Sequence, residues 1–447
     1  MAGNDPHASD SNNGLYPTYQ SGQDGPWQTI RHAAEMMFAG DTTFLRAGIY
    51  FEAGIVFSNT GELDKPIALI NYPNEVVIID GFQTEGEIPG IVMQAGRDHY
   101  LIQGLTIRNM PWSGIATDGE TTNPYHDVSI RDCILYDNGW SGIDLSAAYG
   151  FLLENVEAYG NSFYGVNISG SANGLLSAIN SVVRNGNFHD QIGKEGHGLA
   201  INQGHHILVS DSQAFHNRIH GFDVSDWPKK GELSYDIVLE RNRSYDNGHA
   251  GFSINSDSHH VVYRNNIAWG NGAAWSKEDS SSGFLCYEGC WHVEWLNNVS
   301  VGNSDAGFYI EDDLGRYGSP KDKLLIFKNN ISYLNGQPDW EERSALVVMG
   351  NQWEVVAMHN NWGGAPEVNA KVVGMHIVDE RGEIYTRDEV NRGVFQTGNL
   401  SIDPMFMDIE TGNWVLQLGS HMIDSGIDVG LPFCGAAPDL GALEICP

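Results

Sequence analysis

VVYRNNIAWGN (261–271), VEWLNNVSVGN (293–303) and LIFKNNISYLN (325–335) are one pattern written three times. Apolar residues stand at positions one and three, Asn at position six and Asn at position eleven. Five further segments fit the looser form apolar-x-apolar-x-x-small/Asn-x-x-aromatic-x-Asn: VSIRDCILYDN (128–138), FLLENVEAYGN (151–161), LLSAINSVVRN (175–185), ILVSDSQAFHN (207–217) and IVLERNRSYDN (237–247). The closing residues Asn138, Asn161, Asn185, Asn217, Asn247, Asn271, Asn303 and Asn335 follow one another at intervals of 23 to 32 residues. Self-similarity at that period is the mark of a solenoid, in which each repeat buries its apolar face only against its neighbours. The pattern predicts an all-β, right-handed parallel β-helix, one coil per repeat.

A second motif recurs once per coil: SGIDLS (141–146), YGVNIS (164–169), HGLAIN (197–202), HGFDVS (220–225), AGFSIN (250–255), SGFLCY (282–287) and AGFYIE (306–311). Strand alternation sends the residue after the glycine, and the one two further on, into the coil. Ile143, Val166, Leu199, Phe222, Phe252, Phe284 and Phe308 are therefore expected to stack as a core column. Asn180, Asn242, Asn266, Asn298 and Asn330 are expected to form an inward amide ladder. WQTIRHAAEMMFAG (27–40) carries helical apolar spacing and ends in Gly40, as expected of an N-terminal capping helix over the first coil. One continuous domain is expected: a flexible segment 1–23, a cap with first strands 24–89, regular coils 90–340, and final coils with closure 341–447.

Fifty-seven Asp and Glu against 24 Lys and Arg give a formal charge of −33. No basic stripe exists to neutralise phosphates, so nucleic acid is not an expected partner. No apolar run is long enough to span a membrane. Residues 1–14 lack the basic and apolar regions of a signal peptide, so the expected setting is secreted or periplasmic with any signal already removed, or else cytoplasmic. The five cysteines (133, 286, 290, 434, 446) are too scattered for a disulfide framework, although Cys434 and Cys446 can pair in an oxidising compartment.

The opening DGPWQTIRHAAEMMFAGDTTFLRAGIYFEAGIVF (24–57) with INYPNEVVIIDG (70–81), and the closing DPMFMD (403–408), LGSHMIDSGIDVG (418–430) and APDLGALE (437–444), resemble the ends of bacterial β-helix polysaccharide-degrading proteins. Family 9 of the polysaccharide lyases, which is pectate-lyase-like, typifies them. The resemblance covers nearly the whole chain. It implies a polysaccharide substrate, and calcium held by aspartates flanking the strand glycine, with a lysine base one coil on. In GHGLAIN, IHGFDVS and HAGFSIN only Asp223 keeps such an aspartate. His197 and His220 replace others, and Ser253 replaces the lysine. The GHG triplet (196–198) is also similar to polygalacturonase-type hydrolases, but Ser141 and Phe163-Tyr164 stand where their aspartates belong.

Residues in register on successive coils are neighbours, about 4.8 Å apart, whatever their distance in sequence. The position before each glycine reads Ser141, Tyr164, His197, His220, Ala250, Ser282. The outward position two after it reads Asp144, Asn167, Ala200, Asp223, Ser253, Leu285. Lytic cleavage of a uronate polymer needs a base for the C5 proton, a neutraliser for the carboxylate and an acid for the leaving oxygen. Imidazole and phenol suit the first and last of these roles. His197 or His220 is the expected base, Tyr164 the acid and Asn167 the neutraliser, with Asp223 orienting a histidine or holding a cation. Asp144, Asn202, His249, Trp227, Tyr287 and Tyr309 are the expected substrate-binding residues. For a metal, Asp223 and Asp144 (with Asn167) suit calcium, while His197, His220 and Asp223 form a set that favours a transition metal.

Glu288 and Asp312 occupy matching positions in consecutive coils and form an alternative carboxylate pair, spaced for a retaining glycosidase. Insertions at 186–196, 226–235, 272–282 and 312–323 carry Phe188, Trp227, Trp275 and Tyr317, rings of the kind that stack on sugars or seal loops. The sequence thus points to an extracellular carbohydrate-active enzyme acting on a poly- or oligosaccharide, first a lyase of a uronate polymer. A glycoside hydrolase and a non-catalytic glycan-binding β-helix are the alternatives.

Overall fold

The computed structural model describes residues 5–119, 123–225, 233–272, 281–287, 289–311, 323–336, 344–349, 353–363, 374–378, 384–385 and 398–446. The chain is a right-handed parallel β-helix, as its repeat dictates. Its described residues fall into two compact units, one up to Ile207 and one from Leu208 onward.

In the first unit every coil supplies one short strand to each of three parallel sheets. In the third sheet, Ile55–Val56, Ile91–Met93, Ile115–Thr117, Ile143–Ser146, Val166–Ser169 and Leu199–Asn202 follow in order. The expected core column is present here: Ile115 pairs with Ile143, Ile143 with Val166 and Val166 with Leu199, all fully buried. Glycine precedes this column because the coils touch there. A Cβ on Gly165 would lie 2.5 Å from the carbonyl oxygen of Gly198. Among the described residues a single α-helix, α1 (Ile30–Met36), caps the first coils with Ile30, Ala33 and Ala34 buried. Thr29 is its N-cap, and the Glu52 carboxylate accepts from the backbone N–H groups of Ile30 and Arg31, satisfying donors the helix cannot. The helix stops at Met37, which is already extended. Gly40 instead turns at φ 88° and donates to the Lys65 carbonyl.

One repeat begins six residues later than the template places it. The segment that fills the coil after 151–161 is SVVRNGNFHDQ (181–191), not LLSAINSVVRN. Val182–Arg184 pairs with Leu152–Glu154, and Asn187–His189 with Glu157–Tyr159. Asn185 and Asp190 take the left-handed corners, at φ 53° and 54°. Gln191 therefore closes the coil, its Oε1 accepting from the Asn161 side chain at 3.2 Å. Asn180 lies outside any ladder, exposed, and Phe188 is a fully buried core ring rather than a loop aromatic.

In the second unit Phe222, Phe252, Phe284 and Phe308 stack with centroid spacings of 5.2, 4.9 and 4.8 Å, each at most 1% exposed. Two amide ladders bind its corners. Asn242, Asn266, Asn298, Asn330 and Asn360 form one, each Nδ2 donating 2.9–3.1 Å to the next Oδ1. The closing residues Asn217, Asn247, Asn271, Asn303 and Asn335 form the other at 2.8–2.9 Å. Left-handed residues precede them (Arg241, Asn265, Asn297 and Asn329 before the first ladder), which is why Asn and Asp crowd the fifth template position. The C-terminal residues Phe406, Trp414, Leu416, Met422 and Leu440 pack on Ile267, Val299 and Ile331. Two disulfides are present, Cys434–Cys446 in this tail and Cys286–Cys290, which the scatter of cysteines did not suggest; Cys133 is free and buried.

His259 lies between Tyr235 and Trp291, at centroid distances of 5.3 and 3.8 Å. Desolvation, then the neighbouring His260, lowers its pKa to about 4. An unfolded chain takes up this proton near pH 6.5 and the folded one does not, so the contribution to stability is complete above about pH 6.5 and is lost as pH falls toward 4. His259→Gln is expected to flatten that limb of a plot of Tm against pH. An unchanged plot would contradict the assignment.

Candidate active site

The third sheet of the first unit carries a hydrogen-bonded polar row on its outer face. Asp144 pairs in register with Asn167, and Asn167 with Ala200; one step along, Ser146, Ser169 and Asn202 align. The Asn202 amide donates to Asn167 Oδ1 at 3.0 Å, and the Asn167 amide to Asp144 Oδ1 at 2.8 Å. Trp140 also donates to the Asp144 carboxylate, yet burial outweighs both donors and raises its pKa. Asn167 and Asn202 are 9% and 6% exposed. With its carbonyl held by Asn202 and one N–H spent on Asp144, Asn167 has a fixed orientation and a second N–H to offer.

Beside this row stand Tyr164 and His197, ring centroids 5.5 Å apart and inclined at 45°. The Gly165 N–H donates to the His197 carbonyl at 3.0 Å and locks the two coils together at this point. Glu195 reaches to 3.8 Å from His197 Nε2, and that interaction holds its carboxyl below the usual range. Behind Tyr164 the rings of Phe163, Trp140 and Trp112 stack at 3.6 and 4.5 Å. Sequence reasoning missed both Glu195 and Trp140. The first lay inside what reads as an insertion, although it stands two residues before the histidine. The second, Trp140, lies between the two repeated motifs, at a position neither of them marks.

In the second unit the Ala250 N–H donates to His220 Nδ1 at 3.1 Å, and His249 Nδ1 lies 3.4 Å from the same atom. Asp223 Oδ1 accepts from the Asn255 amide at 3.1 Å, and Asp223 pairs in register with Ser253. The Tyr263 hydroxyl donates to the Ser253 carbonyl; burial, then the charge of Asp223, raises its pKa. Tyr287 pairs with Asn255 and is 41% exposed, next to the Cys286–Cys290 bridge. Tyr309, half-buried, aligns with Leu285, three coils or about 14 Å from Asp223 in this column. Trp227, Trp275, Tyr317 and both members of the carboxylate pair, Glu288 and Asp312, lie outside the described residues.

Calcium takes six to eight oxygen ligands, several of them carboxylate. Asp144 already accepts from Trp140 and Asn167. Asp223 accepts an amide, and its register partner is a serine.

Residues 16–284 match the family model described as Pel9A-like, right handed beta helix region. Curated relatives include YwoF of Bacillus subtilis (strain 168), 26% identical over 56% of this chain and 63% of YwoF. They also include the mannuronan C5-epimerase AlgE5 of Azotobacter vinelandii, 28% identical over 36% of this chain and 15% of the epimerase. The alignments span less than two thirds of either relative. Among solved structures, pectate lyase Pel9A superimposes with a TM-score of 0.56 at 17% identity, over 99% of this chain and 95% of its own, a likeness of fold. Since the matched segment is more than half the chain and coincides with the coils just described, the protein belongs to the Pel9A-like right-handed β-helix family.

Proposed function

We propose that the protein is a secreted or periplasmic carbohydrate-active enzyme that breaks the C5–H bond of uronic acid residues in a polysaccharide, with β-elimination as the outcome. The observation that carries this reading is the pairing of Tyr164 with His197, flanked by the Asn167 amide, on one sheet face of the first unit. His197 takes the C5 proton while Asn167 donates to the sugar carboxylate. The C5–H electron pair becomes the C4–C5 double bond, the C4–O bond breaks, and Tyr164 gives its proton to the departing oxygen. Glu195 orients the imidazole and stabilises its cation. A chain of charge −33 approaches a polyanion against repulsion, and neutral amide donors meet the carboxylate without a basic patch.

Support from outside the chain is of the same kind. The family's namesake is a pectate lyase, and AlgE5 is by name a mannuronan C5-epimerase. Epimerisation shares the first step, differing only in that C5 is reprotonated instead of the C4–O bond breaking. The two disulfides suit an oxidising compartment, and no helix among the described residues is long and apolar enough to cross a membrane.

The experiment is incubation with a panel of polyuronates, with and without a calcium-selective chelator, following ultraviolet absorbance and reducing ends together. Absorbing unsaturated ends that form in the presence of the chelator are expected. Reducing ends without absorbance would replace elimination by hydrolysis, and a rate abolished by the chelator and restored by calcium would overturn the metal-independent scheme.

A further inference from the structure

We infer that the N-terminal end of the first unit holds a second carbohydrate site, which takes neutral pyranose rings of a polysaccharide and is separate from the sheet face that carries Asn167. Thr42–Leu45 opens the first of the three sheets and pairs with Ile67–Asn71. Its alternation buries Thr43 and Leu45 and sends Thr42 and Phe44 outward. These outward residues, Tyr72 and residues 14–17 line a cavity of about 440 Å³, within the range of about 300–1,000 Å³ typical of small-ligand sites. The wall formed by residues 14–17 is fixed. The Gly14 N–H donates to the Gly25 carbonyl at 3.0 Å, and the Gly14 backbone lies so close to the Trp27 ring that a Cβ there would come within 2.4 Å of it. Tyr16, Phe44 and Tyr72 are 42%, 43% and 44% exposed, and the Phe44 and Tyr72 rings meet at 69° with centroids 6.0 Å apart, forming a corner.

The polar groups around these rings select the ligand. Glu75 accepts from Arg46 Nε and Nη2 at 2.9 and 2.6 Å and so holds the guanidinium 4.8 Å over the Tyr72 ring, with Nη1 left to donate. The hydroxyls of Tyr16, Thr42 and Tyr72 also have no hydrogen-bond partner among the described residues. A purely apolar ligand would leave this rim unused. A pyranose uses both parts, its C–H face stacking on a ring and its hydroxyls bonding to the rim. Charge decides the kind of sugar: Glu75 offsets Arg46, and Asp41 adds a carboxylate, so the cavity has no net positive charge to draw a uronate. The inference rests on the reading of the protein as polysaccharide-active, and not on the C5–H scheme.

The test is isothermal titration calorimetry of the full chain with cellohexaose, xylohexaose and mannohexaose, and with hexagalacturonate as the charged counterpart. Binding of at least one neutral hexasaccharide is expected. Phe44→Ala and Tyr16→Ala, both at exposed rings, are each expected to weaken it about tenfold with circular dichroism unchanged. Thr42→Val, which keeps the shape and removes the hydroxyl, is expected to weaken it about threefold to tenfold. His197→Ala, on the other sheet, is expected to bind the neutral sugar as the wild type does. Failure of every neutral hexasaccharide to bind, binding of hexagalacturonate alone, or an affinity lost in His197→Ala and retained in the two ring variants would each overturn the inference. A protein that binds the neutral sugar yet acts on no polyuronate would retain this site while the functional proposal fails.

Discussion

His197→Ala is expected to lower turnover of a polyuronate by a factor of about 10² to 10⁴ while leaving the fold intact. That range is what a positioned general base contributes. Structure predicts the sparing of stability, because His197 belongs to a turn preceding the strand, not to the core column. Its backbone carbonyl, which accepts from the Gly165 N–H, survives the substitution. Tyr164→Phe keeps the ring beside Phe163 and removes only the proton donor, so it is expected to cost turnover more than binding. Glu195→Gln should act through the orientation of the imidazole and lower turnover more than it weakens substrate binding. Steady-state kinetics with circular dichroism of each variant checks all three. A His197→Ala enzyme within a factor of about three of wild type would remove histidine from the base role.

Asn298→Leu is expected to be the most destabilising single change in the second unit. The Asn298 side chain donates to the Tyr263 carbonyl at 2.9 Å and to Asn330 Oδ1 at 3.0 Å, and its own oxygen accepts from both the backbone N–H and the side chain of Asn266. Leucine of similar size takes the partner of the Asn266 backbone N–H and one bond each from the Asn266 amide, the Asn330 oxygen and the Tyr263 carbonyl, and each buried group left unsatisfied costs about 1–3 kcal/mol. The sum is roughly 3–6 kcal/mol after the gain from added apolar burial. Ladder bonds polarise their neighbours, so the loss extends beyond one coil. Asn180→Gly is the internal control: Asn180 is exposed, outside the ladder and at φ 54°, which glycine adopts without strain, and its replacement is expected to change stability by no more than about 0.5 kcal/mol. Thermal or urea unfolding of the two variants would show the contrast, and similar shifts for both would contradict the ladder's role.

These two residues also show what the repeat reveals and where it stops. Asn298 declares itself because a left-handed corner followed by a buried amide admits few residue types, so the same letters recur every coil. Asn180 shares the letters without the environment. The coil that follows it closes on Gln191, which does the work of asparagine with one more methylene and so escapes a template written for Asn. Phe188 was mistaken for a loop aromatic through the same slip. In the site, Tyr164, Asn167 and His197 were legible because each sits at a fixed step from a strand glycine. Glu195 and Trp140 act from turns, where no period constrains position.

The central claim is that C5–H cleavage is part of the reaction, and a polyuronate bearing deuterium at C5 tests it most directly. Loss of the label to solvent in step with turnover, and a slower reaction of the labelled polymer, are the results predicted, whether the product is unsaturated or epimerised. Chain cleavage that leaves every C5 label in place, at an unchanged rate, would contradict the account.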